Sequence, residues 1–173
     1  MVDDARSSFD RKLAALFLAN CGEAERAAEN LRISLSRTAH LLPLDGATLE
    51  ILDEDARERL DAFRVRFSDL QDLLSGKIFR GLLILEEEKP ISQLDVLNAM
   101  EKRAIIPSFQ EWKRLREIRN AFTHDYPAHA NDRAEALTLA VEGALELLAV
   151  WDRVGGYATD HFGLALSERR SRP

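Results

Sequence analysis

The residues of this chain best suited to chemistry lie within one short run, residues 116–127. Their side chains are a guanidinium, an amide, an imidazole and a phenol, from Arg119, Asn120, His124 and Tyr126. A guanidinium is a permanent cation that can hold a phosphate through two oxygens. An imidazole can give or take a proton near neutral pH. These are the two groups that cleavage of an RNA phosphodiester without a metal ion requires most.

A helix is predicted to carry this run. Ser108 and Glu111 have the spacing of a capping box, and Pro127 ends the helix and disfavours helical backbone at the residue before it. Projected at ~100° per residue, the helix has one apolar stripe, with Arg119 at its border. The stripe consists of Trp112, Leu115, Ile118 and Phe122. Arg116 and Asn120 lie on another face.

In a straight helix the two chemical groups would not face each other. Arg119 and His124 are five residues apart, which is ~140° around an ideal helix. Either the helix unwinds before Pro127 and brings His124 round, or Arg119 of one chain meets His124 of another across a two-fold axis. The second arrangement is a self-complementary interface of the kind found in most homodimers.

The same residues also allow an interpretation without chemistry. Arginines on a helix are often solvated, or paired with neighbours such as Glu117, and a histidine near a helix end often interacts with the terminal carbonyl groups. His124 and His129, with Asp125 between them, lack the spacing of metal ligands on one helical turn, so no metal and no cofactor are expected. Short patterns of this kind match by chance, so both interpretations stay open on composition alone.

Composition limits the function classes. The chain has 173 residues with a formal charge of -6, so it is not a generally basic nucleic-acid-binding protein. Any RNA binding must come from a local patch, and residues 101–119 hold six Lys/Arg against three Glu, a net charge of +3. Cys21 is the single cysteine, which excludes an internal disulfide and a cysteine-based zinc site.

Targeting signals are not evident. No apolar run approaches the ~20 residues of a membrane span. The first residues are acidic and lack the basic-then-apolar order of a secretory signal. The expected location is the cytoplasm.

The hydrophobic pattern predicts an all-α protein. A first helical region is expected over residues 5–42, interrupted near residues 20–22 and stopped by Pro43. A second is expected over residues 53–87, because apolar residues recur there at three- and four-residue steps. The stripe consists of Leu60, Phe63, Phe67, Leu70, Leu74 and Ile78.

Two further helices complete the prediction. Ser92 is the expected N-cap of a short helix. Asp132 and Glu135 offer the cap of a long last helix, which Gly155-Gly156 is expected to break or bend. Helices of this number and length predict an antiparallel up-and-down bundle.

Arg119, Asn120 and His124 resemble the signature of the HEPN superfamily, in which an arginine and a polar residue are followed after four to six residues by a histidine. The continuation to Tyr126 is similar to the toxins of HEPN–MNT toxin–antitoxin pairs, whose motif ends in histidine, any residue, tyrosine. The similarity extends more loosely over residues 62–151. On this basis residues 1–173 are expected to form one HEPN-like domain, with a helical extension over about residues 1–50 and a flexible tail over about residues 168–173.

The resemblance implies a dimeric helical bundle with both motifs lining a shared cleft, and a metal-independent endoribonuclease toxin. Arg119 would stabilise charge on the phosphorus, His124 would handle the proton of the attacking or leaving oxygen, and Asn120 would orient one of them or bind phosphate. Arg116 would add a phosphate contact. Tyr126 matches the tyrosine that a partner nucleotidyltransferase (MNT) antitoxin adenylylates. Some relatives of this kind are instead non-catalytic nucleotide- or substrate-binding subunits, and a plain helical interaction module is a third alternative.

Overall fold

The computed structural model describes the backbone of residues 2–123 and 128–166, and the side chains of residues 11–122 and 128–166. Its α-helices are α1 (Val2–Thr38), α2 (Gly46–Ile51), α3 (Glu54–Leu73), α4 (Phe79–Leu85), α5 (Gln93–Lys102), α6 (Phe109–Thr123) and α7 (Ala130–Phe162). A π-helical turn (Leu74–Ile78) joins α3 directly to α4, and a 3-10 turn (Ala39–Leu41) follows α1. Within these ranges there is no strand, so the all-α prediction is confirmed.

The helices form a bundle around one core. α3 contacts α1, α6 and α7, and α7 also contacts α1 and α6. α2 packs on α7, and α5 contacts both α4 and α6. The apolar stripe predicted for the second region is fully buried, and the stripe of α6 is buried with it. The α1 residues Phe17, Cys21, Ala24, Ala28 and Leu31 belong to the same core cluster.

Close helix packing is visible at Gly143 of α7. A Cβ atom at this position would lie 3.0 Å from Leu115 Cδ2 and 3.2 Å from Phe67 Cε2. The missing side chain therefore lets α7 approach both α6 and α3. The ring of Phe67 meets that of Phe122 edge-on, with their centroids 5.8 Å apart.

Two predicted helix breaks are wrong. α1 runs without a break through residues 20–22, and α7 runs through Gly155 and Gly156 to Phe162. A helical glycine costs only ~1 kcal/mol relative to alanine. Burial of neighbouring residues, such as Cys21 in α1 and Val154 in α7, outweighs that cost. α7 ends instead at Gly163, whose φ of 64° is the left-handed conformation that glycine tolerates best.

Of the predicted helix caps, that of α7 is wrong. The N-cap residue is His129, without a side-chain hydrogen bond, and Asp132 lies in the first turn. There its charge still favours the helix N-terminus. The cap at Ser92 is confirmed and forms a full capping box with Asp95. Ser108 Oγ accepts from the Glu111 N–H at 3.1 Å.

An ion cluster connects the end of α4 to α5 and α7. Arg103 Nη2 lies 2.5 Å from Glu86 Oε2 and 2.5 Å from Glu88 Oε1. Tyr157 donates a hydrogen bond to the other Glu86 oxygen. Burial raises the pKa of the Glu86 carboxyl, but the hydrogen bonds from Tyr157 and Arg103 outweigh it, so the pKa is lowered overall.

Glu86→Gln should therefore lower the free energy of unfolding at neutral pH. The folded-state pKa of Glu86 lies below the unfolded value of ~4.3, so at pH values above ~4.3 the ionised carboxylate contributes its full stabilisation to the fold. Its contribution is lost as the pH falls through the folded-state pKa. Urea unfolding of both proteins across acidic and neutral pH measures this. A difference that does not shrink in acid contradicts the prediction, and Glu58→Gln at an exposed site of α3 is the control.

Phe67→Ala should lower the free energy of unfolding by about 3–5 kcal/mol, because it removes a ring fully buried among α3, α6 and α7. Val65→Ala is the matched control: that side chain is 58% exposed on the same helix, and a change within about 0.5 kcal/mol is expected. Urea unfolding measures both. Equal effects of the two substitutions would show that the core is not where the structure places it.

Candidate functional site

α6 positions the candidate site because its apolar face is fixed in the core. Trp112, Leu115, Ile118 and Phe122 are all buried, as predicted. Arg119 follows Ile118 at the border of this face, and its side chain is only 21% exposed. A long charged side chain held so close to the core needs a polar partner.

That partner is Asp72, in the last turn of α3. Arg119 Nη2 donates to Asp72 Oδ2 at 2.5 Å, and Nη1 donates more weakly to Asn120 Oδ1 at 3.4 Å. The Asp72 side chain is 51% exposed, so the ion pair lies where α3 and α6 meet the solvent. The pair therefore fixes the direction of the guanidinium while leaving it at an accessible edge.

Arg116 and Asn120 follow one another by one helical turn, so they share a face of α6. Arg116 is exposed and Asn120 is half-buried, in agreement with the predicted projection. His124 and Tyr126 lie outside the described residues, as does the predicted tail over about residues 168–173. The contact between Arg119 and His124, and the role of Tyr126, stay predictions.

Most of the positive charge counted over residues 101–119 is engaged with carboxylates. Arg103 belongs to the α4–α5–α7 cluster, and Lys113 and Arg114 form ion pairs within α6, with Glu117 at 3.7 Å and Glu111 at 3.2 Å. The net charge of +3 is therefore not one continuous basic patch. The cations that remain near the site are Arg116 and the anchored Arg119.

A groove of about 600 Å³ opens beside Asp72, between α1 and the α3–π-turn segment. Its wall on α1 includes Arg26 and Asn30, and the opposite wall includes Asp69 and Asp72. π-helical turns inside α-helices are frequent at functional sites. Neither the turn nor the Asp72–Arg119 pair was predicted, and the sequence signal for them is slight: an acidic pair one turn apart, followed by Ser75-Gly76.

The surroundings of two other potentially reactive side chains, Cys21 and His161, indicate structural roles. Burial raises the pKa of the Cys21 thiol to about 12, so this thiol stays protonated at neutral pH. His161 stacks on Tyr157, with ring centroids 3.8 Å apart. Within the described ranges no group of histidine, cysteine and acidic residues could hold a metal ion. Every helix described there is too short or too polar to cross a lipid bilayer.

No protein-family model, curated protein or solved structure matches this chain. The assignment of the site therefore rests on its own residues: an anchored arginine with Asn120 beside it and Arg116 one turn away, at the helix end that precedes His124. Guanidinium and amide groups can both donate hydrogen bonds to phosphate oxygens. The groove lies beside Asp72, the carboxylate that accepts from Arg119.

The ion pair between Asp72 and Arg119 should show measurable coupling. In a double-mutant cycle of Asp72→Ala and Arg119→Ala, followed by urea unfolding, we expect a coupling energy of about 0.5–1 kcal/mol, at the upper end for a surface pair because Arg119 is largely buried. The pair of Glu111 and Arg114 within α6 is the control, with about 0.2–0.5 kcal/mol expected. Zero coupling for Asp72 and Arg119 would mean that Asp72 does not hold the guanidinium.

Proposed function

We propose that this chain is a homodimeric, metal-independent endoribonuclease of the HEPN type, the toxin half of a toxin–antitoxin pair. The single observation that carries the proposal is the anchored guanidinium of Arg119. Its Nη2 donates to Asp72 Oδ2 at 2.5 Å. Arg119 is followed directly by Asn120 and belongs to the motif that ends with His124 and Tyr126. A preorganised cation of this kind stabilises negative charge that develops on a phosphate.

The proposed reaction is transfer within the RNA itself. The 2′-oxygen forms a bond to the neighbouring phosphorus while the bond from phosphorus to the 5′-oxygen breaks, giving a 2′,3′-cyclic phosphate and a free 5′-hydroxyl. The proton leaves the 2′-hydroxyl and one proton reaches the departing 5′-oxygen. His124 handles one of these protons, Arg119 stabilises the charge on the phosphoryl oxygens, and Asn120 orients an oxygen. Arg116, exposed on the same face as Asn120, holds an adjacent phosphate.

We include a dimer in the proposal because a single regular helix would not bring Arg119 and His124 together. Arg119 and His124 are separated by ~140° on a regular helix, and α6 is regular through Thr123. In the proposed assembly the guanidinium of one chain and the imidazole of its partner share a cleft on the two-fold axis. The alternative within one chain is a turn after Thr123 that brings His124 back.

Neutralisation by a nucleotidyltransferase antitoxin, acting in the cytoplasm, completes the proposal. Adenylylation of Tyr126 would place a bulky, negatively charged group two residues from His124. The added phosphate would compete with RNA for Arg119. Both consequences would block the cleft without unfolding the bundle.

A second candidate function is a non-catalytic subunit that binds a nucleotide or another phosphate-bearing substrate for a nucleotidyltransferase. The observation that favours it is electrostatic. The chain carries a charge of -6, and three of the six basic residues over residues 101–119 pair with acidic residues away from the Arg119 site. A long RNA is attracted weakly by such a surface, whereas a single phosphate needs only Arg119 and its neighbours.

Arg119→Ala and His124→Ala should each reduce RNA cleavage by at least about 100-fold, as expected for loss of a charge-stabilising or proton-transferring group. Purified protein is incubated with total RNA, with and without a chelator, and the 5′-hydroxyl ends are counted. Chelation should leave the parent's activity unchanged. Expression without the antitoxin should arrest growth for the parent and for neither variant.

Arg114→Ala is the matched control, since it removes a guanidinium of the same helix that is paired with Glu111 away from the site. It should retain cleavage. If both site variants cut RNA as well as the parent, the proposed mechanism is wrong. Nucleotide binding by a parent protein that neither cleaves RNA nor arrests growth would instead support the binding subunit. A site without function would leave both variants like the parent in every assay.

A further inference from the structure

Arg66 of α3 is a half-buried cation without a carboxylate partner in the described part of the chain. Its Nη1 donates to Ser34 Oγ of α1 at 2.6 Å and, more weakly, to the Asn30 carbonyl oxygen at 3.4 Å. Ser34 is only 2% exposed, so the guanidinium is anchored at the buried side of the contact between α1 and α3. A partly desolvated cation that has only neutral partners gains from a bound anion.

The other edge of this guanidinium is open. Nε and Nη2 of Arg66 make no hydrogen bond with the described residues, and both atoms are accessible to solvent. These two N–H groups are parallel and can bind two oxygens of one phosphate. Because Nη1 is fixed by Ser34, the open edge has a defined direction in the free protein.

α1 and α3 run antiparallel in a constant register. Arg66 contacts Ser34, and Lys77 of the π turn, eleven residues further along the chain, pairs with Glu23, which lies eleven residues before Ser34. Because the two steps are equal and opposite, positions that lie level on the two helices can be found by counting from the contact between Arg66 and Ser34. A residue one heptad away on the same helix lies on nearly the same side, since the drift is only ~20° per heptad.

Two exposed arginines lie at such positions. Arg59 is one heptad before Arg66 on α3, and Arg37 is one heptad after Asn30 on α1. Counting from the contact between Arg66 and Ser34 places Arg37 between the other two arginines. Along the helix axis it is ~6 Å from Arg59 and ~4.5 Å from Arg66. We call Arg37, Arg59 and Arg66 the basic seam.

The basic seam is a positive region of an acidic chain. No acidic residue occurs over residues 30–44, and Asp61, the one acidic residue over residues 59–68, pairs with Arg64 at 3.0 Å. The two exposed arginines of the seam have no ion pair in the described part of the chain. A row of three cations attracts a chain of phosphates, whereas a single phosphate needs only one of them.

We propose that the basic seam binds the phosphodiester backbone of single-stranded RNA, with Arg66 as the principal contact. The seam lies near the Arg119 site, because Asp72, which accepts from Arg119, is six residues after Arg66 on α3. That separation is ~9 Å along the helix axis and ~120° around it. The seam therefore holds phosphates other than the one at Arg119. This inference rests on the proposed function for its substrate, RNA, but not on cleavage.

The test measures binding of RNA that cannot be cut. A fluorescein-labelled 2′-O-methyl oligouridine is titrated with the full chain at several salt concentrations, and fluorescence anisotropy gives the affinity. Arg66→Ala should weaken binding and make the slope of log affinity against log salt shallower by about 0.7, the value for one phosphate contact to a single strand. Arg37→Ala and Arg59→Ala should each do the same, and the bundle should tolerate them because both side chains are exposed. Unchanged slopes in all three variants would overturn the inference.

Arg64→Ala is the matched control. It removes the same charge from the same helix, but this guanidinium pairs with Asp61 outside the seam, so the salt slope should stay that of the parent. An equal loss of slope in Arg64→Ala would show a general effect of net charge and overturn the inference. Thermal unfolding of each variant checks the fold. If Arg66→Ala is destabilised while Arg37→Ala and Arg59→Ala keep the parent's slope, Arg66 only ties α1 to α3, and the inference is wrong.

The outcomes separate this inference from the proposed function. Cleavage that depends on Arg119, with salt slopes that the seam variants do not change, would leave the ribonuclease and remove the seam. Binding that depends on the seam without any cleavage would leave the seam and remove the ribonuclease. Vesicles of an anionic phospholipid that bind through the seam, while the oligouridine does not, would overturn the assignment to RNA. A parent protein that neither binds the oligouridine nor cleaves RNA would overturn both proposals.

Discussion

The burial of the apolar stripe that runs through α3, the π turn and α4 is the constraint on which the rest of the structure depends. Its large side chains, from Leu60 to Leu83, lie in the core and are contacted from several sides by α1, α6 and α7. Hydrophobic burial of this extent decides where each neighbouring helix sits. The direction of every polar side chain at the edges follows from that placement, including those of Asp72 and Arg119.

The geometry of the site follows from this helix packing. Arg119 lies next to buried Ile118, so its stem is held against the core while its guanidinium reaches Asp72 at the edge. The π turn that follows Asp72 changes the helical register and leaves a glycine on the groove wall. The cation and the groove are therefore both consequences of how α3 continues into α4.

Sequence reasoning predicted the elements well where the signal was local and periodic. The stripes of α3 and α6, the cap at Ser92 and the border position of Arg119 were all correct. The errors at Gly22 and at Gly155-Gly156 have one cause, which is that packing outweighs the ~1 kcal/mol cost of a helical glycine. The cap of α7 was misplaced for a different reason, since several polar residues near His129 could each begin a helix.

The sequence by itself determined the all-α class and the residues of the motif, because 3.6-residue periodicity and residue chemistry are properties of short segments. Only the tertiary structure decided that Asp72 holds Arg119, because these residues are 47 positions apart and no local rule relates them. It likewise decided that Arg103 belongs to a different cluster and that Asp69 faces a groove. Contacts between distant segments depend on how whole helices pack, which is set by the sum of many buried surfaces rather than by any one motif.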